Sequence, residues 1–296
     1  MSQITHAGYI AVVGRPNVGK STLINALVGA KVSIVSSKPQ TTRHRILGVR
    51  SEGDAQFVFV DTPGFQTGHR SALNQAMNRV VTQTLAEVDI VLFILEAMKL
   101  TPADRRVLPL LPANRPVILL VNKLDQVADK ARLLPFLQEI AALAAFAEIV
   151  PISALDARDG DRLLAILRPY LPESPPFFEE DAITDRSERF LAAEILREKA
   201  FRLTGDEIPY GVAVEIEKYE IEADGLRRIH AVVWVDREAH KPILLGRGGE
   251  RMKRIASEAR QDMERLFDAR VFLQCWVKVK SGWMDNAALL KSLGHE

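Results

Sequence analysis

The chain has one cysteine, Cys275, in 296 residues. No intrachain disulfide framework can form, and such a composition suits a reducing cytosol. Aromatic residues make up only 6%. Apolar runs such as Ile90 to Leu95 fall far short of the ~20 residues that span a bilayer. The opening MSQITHAGYI has no basic start, long apolar stretch or cleavage site, so no signal peptide is expected. The six histidines show no HxxxH or Cys/His spacing, which leaves a transition-metal site unsupported. Net charge is also nearly missing: 39 Lys+Arg stand against 38 Asp+Glu, for +1. Total charge therefore argues against a protein that simply coats nucleic acid.

What is present is ordinary globular material, 47% hydrophobic and 26% charged, enough for a substantial core. At ~150 residues per domain the length predicts about two domains. The charge is uneven along the chain. Residues 1–170 carry +5, residues 171–240 carry −8 and residues 241–296 carry +4. Pro172, Pro175 and Pro176 deny the stretch Leu171–Asp185 a helix or central strand. It reads as a linker between a first domain, residues 1–170, and a second, residues 186–296.

In the first domain short apolar runs alternate with amphipathic ones. Strands are predicted at Tyr9–Val13, Arg45–Arg50, Phe57–Val60, Ile90–Leu95, Val117–Val121 and Glu148–Val150. Helices are predicted at Lys20–Leu27, Ser71–Ala86, Ala103–Leu110, Lys130–Phe146 and Arg162–Tyr170. The alternation predicts an α/β fold, a mostly parallel six-stranded sheet with helices on both faces, and ligands at the carboxyl ends of the strands.

The residues just after the strands carry chemistry. Gly14-Arg15-Pro16-Asn17-Val18-Gly19-Lys20-Ser21 follows the first strand. It fits GxxxxGK[ST], a loop whose backbone N–H groups wrap phosphate oxygens at a helix start. Lys20 is placed to reach β- and γ-phosphates, and Ser21 to ligate Mg²⁺. Asp61-Thr62-Pro63-Gly64 follows the third strand. A carboxylate at the end of an apolar strand is costly unless solvated or paired with a cation, and Asp61 fits one that holds Mg²⁺ through a water. Gly64 fits a backbone N–H that senses a γ-phosphate. Between these motifs lies Pro39-Gln40-Thr41-Thr42-Arg43. A Thr here, Thr42 in preference to Thr41, can join the metal when a γ-phosphate draws it in.

Asn122-Lys123-Leu124-Asp125 follows the fifth strand. One carboxylate, Asp125, can accept from both the N1–H and the 2-amino group of guanine, whereas adenine leaves buried groups unpaired. Asn122 would bond the base and brace the phosphate loop, and the Lys123 stem would lie on the ring. Ser153-Ala154-Leu155, after the sixth strand, offers a backbone amide to guanine O6. Together GRPNVGKS, TT, DTPG, NKLD and SAL resemble the G domain of the Era-like branch of GTPases. The resemblance implies GTP hydrolysis with Mg²⁺, with Lys20, Thr42 and Gly64 at the reacting phosphate. It also implies a role for Asn17 in binding an activating K⁺. Phe65 stands where Ras-like relatives carry a water-orienting Gln, which implies slow intrinsic turnover.

The second domain reads α-β-β-α-α-β: helix Ser187–Leu203, strands Val212–Tyr219 and Ile229–Asp236, helices Lys241–Leu245 and Glu250–Phe267, strand Val271–Lys280. Cys275 falls on the apolar face of the last strand and reads as a core thiol. Gly246-Arg247-Gly248-Gly249 joins the two later helices, and Arg251, Lys253 and Arg254 follow. A GxxG turn lets a nucleic-acid backbone approach a helix start, and the bases add attraction. The segment resembles a type II KH domain, a clamp for about four unpaired nucleotides. Phe272 and Trp276 either stack bases or pack against a terminal segment around Trp283. With Thr184 to Phe190, Leu-Gly-Arg-Gly-Gly and Trp-Val-Lys-Val, the likeness to the Era-like family covers nearly the whole chain. It implies a monomeric bacterial GTPase of the cytoplasm that binds 16S rRNA near its 3′ end and helps mature the small (30S) ribosomal subunit. Peripheral association with the inner membrane is a further implication. A metabolite kinase and a GTPase with a protein-binding second domain stay open as rivals.

Overall fold

The computed structural model describes residues 3–36, 41–65, 72–204, 208 and 211–283. Of the residues read above, Pro39, Gln40, Ser71 and two of the six histidines, His69 and His295, lie outside these. The chain forms two compact units that divide between Asp185 and Arg186; of the described residues before that point, 34–36 and 41, between the first helix and second strand, and 72–76, at the start of the second helix, group with the second.

The first unit runs β1 (His6–Val13), α1 (Lys20–Val28), β2 (Ile46–Glu52), β3 (Ala55–Asp61), α2 (Ala72–Glu87), β4 (Ile90–Glu96), α3 (Pro102–Val107), β5 (Val117–Asn122), α4 (Leu133–Ala141), β6 (Glu148–Pro151), α5 (Ala157–Leu167). The sheet order is β2-β3-β1-β4-β5-β6. β2 runs antiparallel to β3, and the other neighbours are parallel. Every residue of β3 and β4 is buried, as expected of strands covered on both faces. One apolar cluster, with Ile10, Ile24 and Leu163, fills one side of the sheet. Another, with Val91, Phe93 and Ile140, fills the other.

The expected strands are all present; helix ends differ for local reasons. The helix from Pro102 stops at Val107, and the chain tightens into a 3₁₀ turn, Leu108–Leu110. Pro109 has no N–H to continue the α ladder. Between Lys130 and Leu133 the chain likewise begins as a 3₁₀ turn, and α4 ends at Ala141, short of Phe146. α5 starts before Arg162 because Asp156 caps it, accepting from the Arg158 N–H.

The stretch 171–185 lies along the first unit. Leu171 is buried in its core. The Phe177 and Phe178 N–H groups donate to Gln56 Oε1 at 2.8 and 3.0 Å. The Val49 N–H donates to the Ile183 carbonyl at 2.9 Å. The prolines exclude regular structure there but leave side chains and carbonyls free to dock.

The second unit runs α6 (Glu188–Leu203), β7 (Val212–Ile221), β8 (Arg227–Val235), α7 (His240–Leu245), α8 (Glu250–Phe267), β9 (Val271–Val279). Its sheet order is β7-β8-β9, antiparallel then parallel. Leu196 and Phe201 of α6 and Ile255, Ala259 and Met263 of α8 pack with Val233 and Val271 of the sheet. Cys275 packs against this core, and burial pushes its thiol up to about 12. It stays protonated and inert.

Candidate functional site

The phosphate loop leaves β1 and enters α1 through Gly19, which sits at φ 105°. A Cβ there would strike the Asn122 amide, so glycine serves both the backbone turn and the packing. Lys20 is buried and donates to the carbonyls of Gly14 at 3.2 Å and Arg15 at 3.0 Å. Burial and, to a lesser degree, Arg15 lower its ammonium to about 8 against the pull of Asp61. A buried ammonium aimed along the loop is suited to receive phosphate charge.

Ser21, Thr42 and Asp61 converge. Ser21 Oγ donates to Asp61 Oδ2 at 2.8 Å and lies 3.0 Å from Thr42 Oγ1. Thr42 Oγ1 is 3.4 Å from the same carboxylate oxygen, and Ser33 Oγ also donates to it. Burial pushes the Asp61 carboxyl above its ordinary value, opposed by Ser33, Lys20, Ser21 and Thr42. Its Oδ1 is buried with no hydrogen-bond partner among the described residues. Three hard oxygen donors with one orphaned carboxylate oxygen fit Mg²⁺ better than a soft metal.

Thr62 Oγ1 donates to the Val12 carbonyl at 2.8 Å. This residue pins the DTPG turn to β1. A Cβ on Gly64 would lie 2.9 Å from the Pro16 nitrogen and 3.0 Å from its Cα. Only glycine allows the turn to sit this close to the phosphate loop. Phe65 packs against the first unit's apolar cluster.

Asn122 ties the base-recognition segments to the phosphate loop. Its Nδ2 donates to the Val18 carbonyl at 2.8 Å, and its Oδ1 accepts from the Ala154 N–H at 2.9 Å. The Ala154 amide is thus already donating within the site. Asp125 Oδ1 accepts from Ser153 Oγ at 2.6 Å. Asp125, Ser153 and the 77%-exposed Leu155 line a cleft of about 610 Å³. Lys123 takes a left-handed backbone, φ 68°, and its Nζ lies 3.1 Å from Glu96 Oε2.

Two carboxylates at this site escaped the sequence reading. Arg15 Nη2 lies 2.9 Å from Glu96 Oε2, and its Nε lies 3.2 Å from Asp104 Oδ2. Glu96 ends an apolar strand as Asp61 does, and the same cost of an unpaired carboxylate signals a partner.

In the second unit Gly246 to Gly249 forms a tight turn into α8. Gly246 has φ 74°, and a Cβ there would lie 2.7 Å from Arg251 Cβ. A cleft of about 400 Å³ opens here, lined by Leu203, Gly246, Arg247, Glu250, Arg251 and Arg254. Arg247, Gly248 and Lys253 are exposed. Arg251 Nη1 donates to the Ile243 carbonyl at 2.6 Å, and Arg254 pairs with Glu258 at 2.8 Å. Arg251 holds the turn, while Arg247, Lys253 and Arg254 are exposed, Arg254 pairing along its own helix. Trp283 is fully buried, whereas Phe272 and Trp276 stay 42% and 38% exposed. Arg228 covers the Phe272 ring at 4.8 Å, and His230 meets Trp276 edge-on at 5.6 Å.

A doubly wound sheet with a phosphate loop, a DTPG turn and an NKxD segment, followed by a three-stranded GxxG domain, defines a GTPase carrying a KH domain. Residues 9–123 match the family described as 50S ribosome-binding GTPase, and residues 207–284 match the KH domain family. The GTPase Era of Nitrosomonas eutropha is 58% identical over 290 residues, covering 98% of both chains. That of Chromobacterium violaceum is 57% identical over 289 residues, covering 98% of this chain and 97% of its own. A crystal structure of Aquifex aeolicus Era bound to GDP·AlF4⁻ superposes with a TM-score of 0.93 at 41% identity, covering 98% of this chain and 99% of that one. Another, of Era in complex with MgGDPNP and nucleotides 1506–1542 of 16S ribosomal RNA, gives the same TM-score, identity and coverage. The chain belongs to the Era family of GTPases.

Proposed function

We propose that this GTPase is a nucleotide-controlled RNA switch that binds 16S rRNA near its 3′ end and assists assembly of the 30S subunit. The carrying observation is the convergence of Ser21, Thr42 and Asp61 in a chain that also holds an exposed GxxG turn. The family relative crystallised with a 16S segment supports the choice of RNA.

The residues divide the chemistry. The loop from Gly14 to Ser21 wraps the phosphates with backbone N–H groups, and Lys20 neutralises the β- and γ-oxygens. Ser21 and Thr42 would hold Mg²⁺ directly and Asp61 through a water. Bound there, the ion offsets charge on the β- and γ-phosphate oxygens during transfer. The Gly64 N–H is offered to the γ-phosphate. Asp125 accepts from the guanine donors, and Asn122 keeps base and phosphate segments in register. Phe65 has no group with which to orient the attacking water. That task falls to backbone groups near Thr42 and Gly64, so turnover is slow. Asn17, in the phosphate loop, is the residue proposed to help bind K⁺, and equal hydrolysis rates in Na⁺ and K⁺ would exclude this.

In the second unit Arg197 Nη2 donates to the Thr41 carbonyl at 2.5 Å, and Glu198 Oε2 accepts from the Val35 N–H at 3.1 Å. α6 thus holds Val35 and Thr41, and Thr41 is next in the chain to Thr42. This supports a reading in which the γ-phosphate, by ordering Thr42, sets the RNA affinity of the KH domain. Arg247 and Lys253 supply charge at the α8 start, and Gly246, Gly248 and Gly249 let the RNA backbone approach. No helix among the described residues is long and apolar enough to cross a membrane; peripheral association with the inner membrane is part of the proposal. The protein is proposed to act as a monomer in the cytoplasm. RNA crosslinking with GTP or GDP bound, and mapping of the crosslinked sites, tests this function. Crosslinks at the GxxG turn support it, and their absence with either nucleotide overturns it.

A further inference from the structure

In the sheet β4 lies between β1 and β5. The phosphate loop leaves the carboxyl end of β1, and the NKLD segment leaves that of β5. Glu96, the last residue of β4, pairs in register with Asn122. Its carboxylate sits between the cations of both segments. Glu96 Oε2 is 2.9 Å from Arg15 Nη2 and 3.1 Å from Lys123 Nζ, while Lys99 closes on Oε1. The Glu96 side chain is only 9% exposed.

The neighbouring groups strengthen the tie. Asp104, fully buried, takes the other edge of Arg15. It is itself fixed by the Thr101 N–H at 2.9 Å and the Thr101 hydroxyl at 2.7 Å. The Ala97 N–H donates to the Asn122 carbonyl at 2.8 Å, so the backbone beyond Glu96 is held to the NKLD segment as well. Burial raises the Glu96 carboxyl, but hydrogen bonds from Lys99, Arg15 and Lys123 overcome it and bring it to about 2. The carboxylate is therefore charged throughout the physiological range.

We infer that Glu96 is a positioning residue for the guanine nucleotide, tying the phosphate loop through Arg15 to the base segment through Lys123 so that both are set before the nucleotide arrives. It touches neither phosphate nor base. It fixes the Lys123 stem for the face of the purine and holds the Arg15 guanidinium off the phosphate path. Without its charge, Arg15, Lys99 and Lys123 form three neighbouring cations with no common counter-charge, and the two segments move independently. Preorganisation of this kind acts on binding; the reacting centre, at Lys20, Ser21, Thr42 and Gly64, is elsewhere.

The inference rests on the nucleotide-site reading, and a double-mutant cycle separates the two. Glu96→Gln, Lys123→Ala and the double variant are made in the full chain. GDP and GTP affinity, KM, kcat and the thermal midpoint of each are compared with the parent. The expected result for Glu96→Gln is a loss of about tenfold in affinity for both nucleotides. KM should rise with it, with kcat changed by less than about twofold and the nucleotide-free form still unfolding cooperatively, at a lower midpoint at neutral pH because the Glu96 charge is gone. Because both groups act through one contact, the double variant should lose little more than the worse single variant. Parental affinity in Glu96→Gln, or losses that multiply in the double variant, overturn the tie while leaving the site intact. A parent chain that fails to bind GDP would instead overturn the nucleotide-site reading itself. If Lys123→Ala does not fold, Arg15→Ala replaces it in the cycle with the same expectation.

Discussion

Ser21 Oγ and Thr42 Oγ1 lie 3.0 Å apart beside the buried Asp61 carboxylate. One hydroxyl comes from the start of α1 and the other from the stretch before β2. Removing the second should spare the first. Thr42→Ala is expected to keep GDP affinity near the parent's and to lower GTP hydrolysis by about 100-fold, the order seen when one stabilising group is lost. Parallel GDP-binding and phosphate-release assays check this.

Gly64→Ala tests the contact of the DTPG turn with the phosphate loop. The added methyl would lie about 3 Å from the Pro16 backbone, closer than carbon contacts allow. GDP binding should survive, because the β-phosphate is proposed to be held by the loop itself. Affinity for a non-hydrolysable GTP analogue should fall, measurable by calorimetry.

Asp125→Asn replaces the carboxylate proposed to accept from both guanine donors with an amide. Nucleotide preference should move from GTP to xanthosine triphosphate, whose C2 oxygen accepts a hydrogen bond. Competition binding of the two nucleotides reads the change directly. Unchanged GTP binding would reopen a kinase-like use of the phosphate loop.

The Glu96 carboxyl gives a pH prediction with a definite sign. Its folded-state value, about 2, lies below the ordinary 4.5. The unfolded chain therefore binds the proton first as pH falls. The stabilisation is full above pH 4.5 and is lost as pH drops from 4.5 toward 2. Acid unfolding of Glu96→Gln should lack this part of the dependence, so the two unfolding curves converge at low pH.

The parts of the site that recur within a few residues were legible in the sequence. A wrapped phosphate loop needs Gly14, Gly19, Lys20 and Ser21 at fixed spacing, and NKLD needs Asn122 and Asp125 three apart. The α/β alternation gave the strands because fully buried parallel strands read as continuous apolar runs. Glu96 and Asp104 were not visible in the same way. Their importance comes from β4 lying between β1 and β5, and apolar runs do not specify strand order. The docking of 171–185 was missed for a similar reason. Its partner Gln56 lies in a strand more than a hundred residues earlier, and local composition shows only the prolines. The GxxG turn was legible as a backbone feature, but the inward role of Arg251, which donates to the Ile243 carbonyl, needed coordinates.

Arg247→Glu with Lys253→Glu reverses two exposed charges at the α8 start while leaving the first unit untouched. RNA binding should be lost and GTP hydrolysis retained. Loss of both would point to a folding defect, which a thermal melt would reveal.

The central claim is that guanine nucleotide sets the hold on RNA. The most direct measurement is the affinity of the full chain for a 16S 3′-end RNA, saturated in turn with GDP and with a non-hydrolysable GTP analogue, at one fixed salt concentration. Binding should be tighter in the GTP-analogue state, with release after exchange to GDP. Equal affinities in the two states would contradict it.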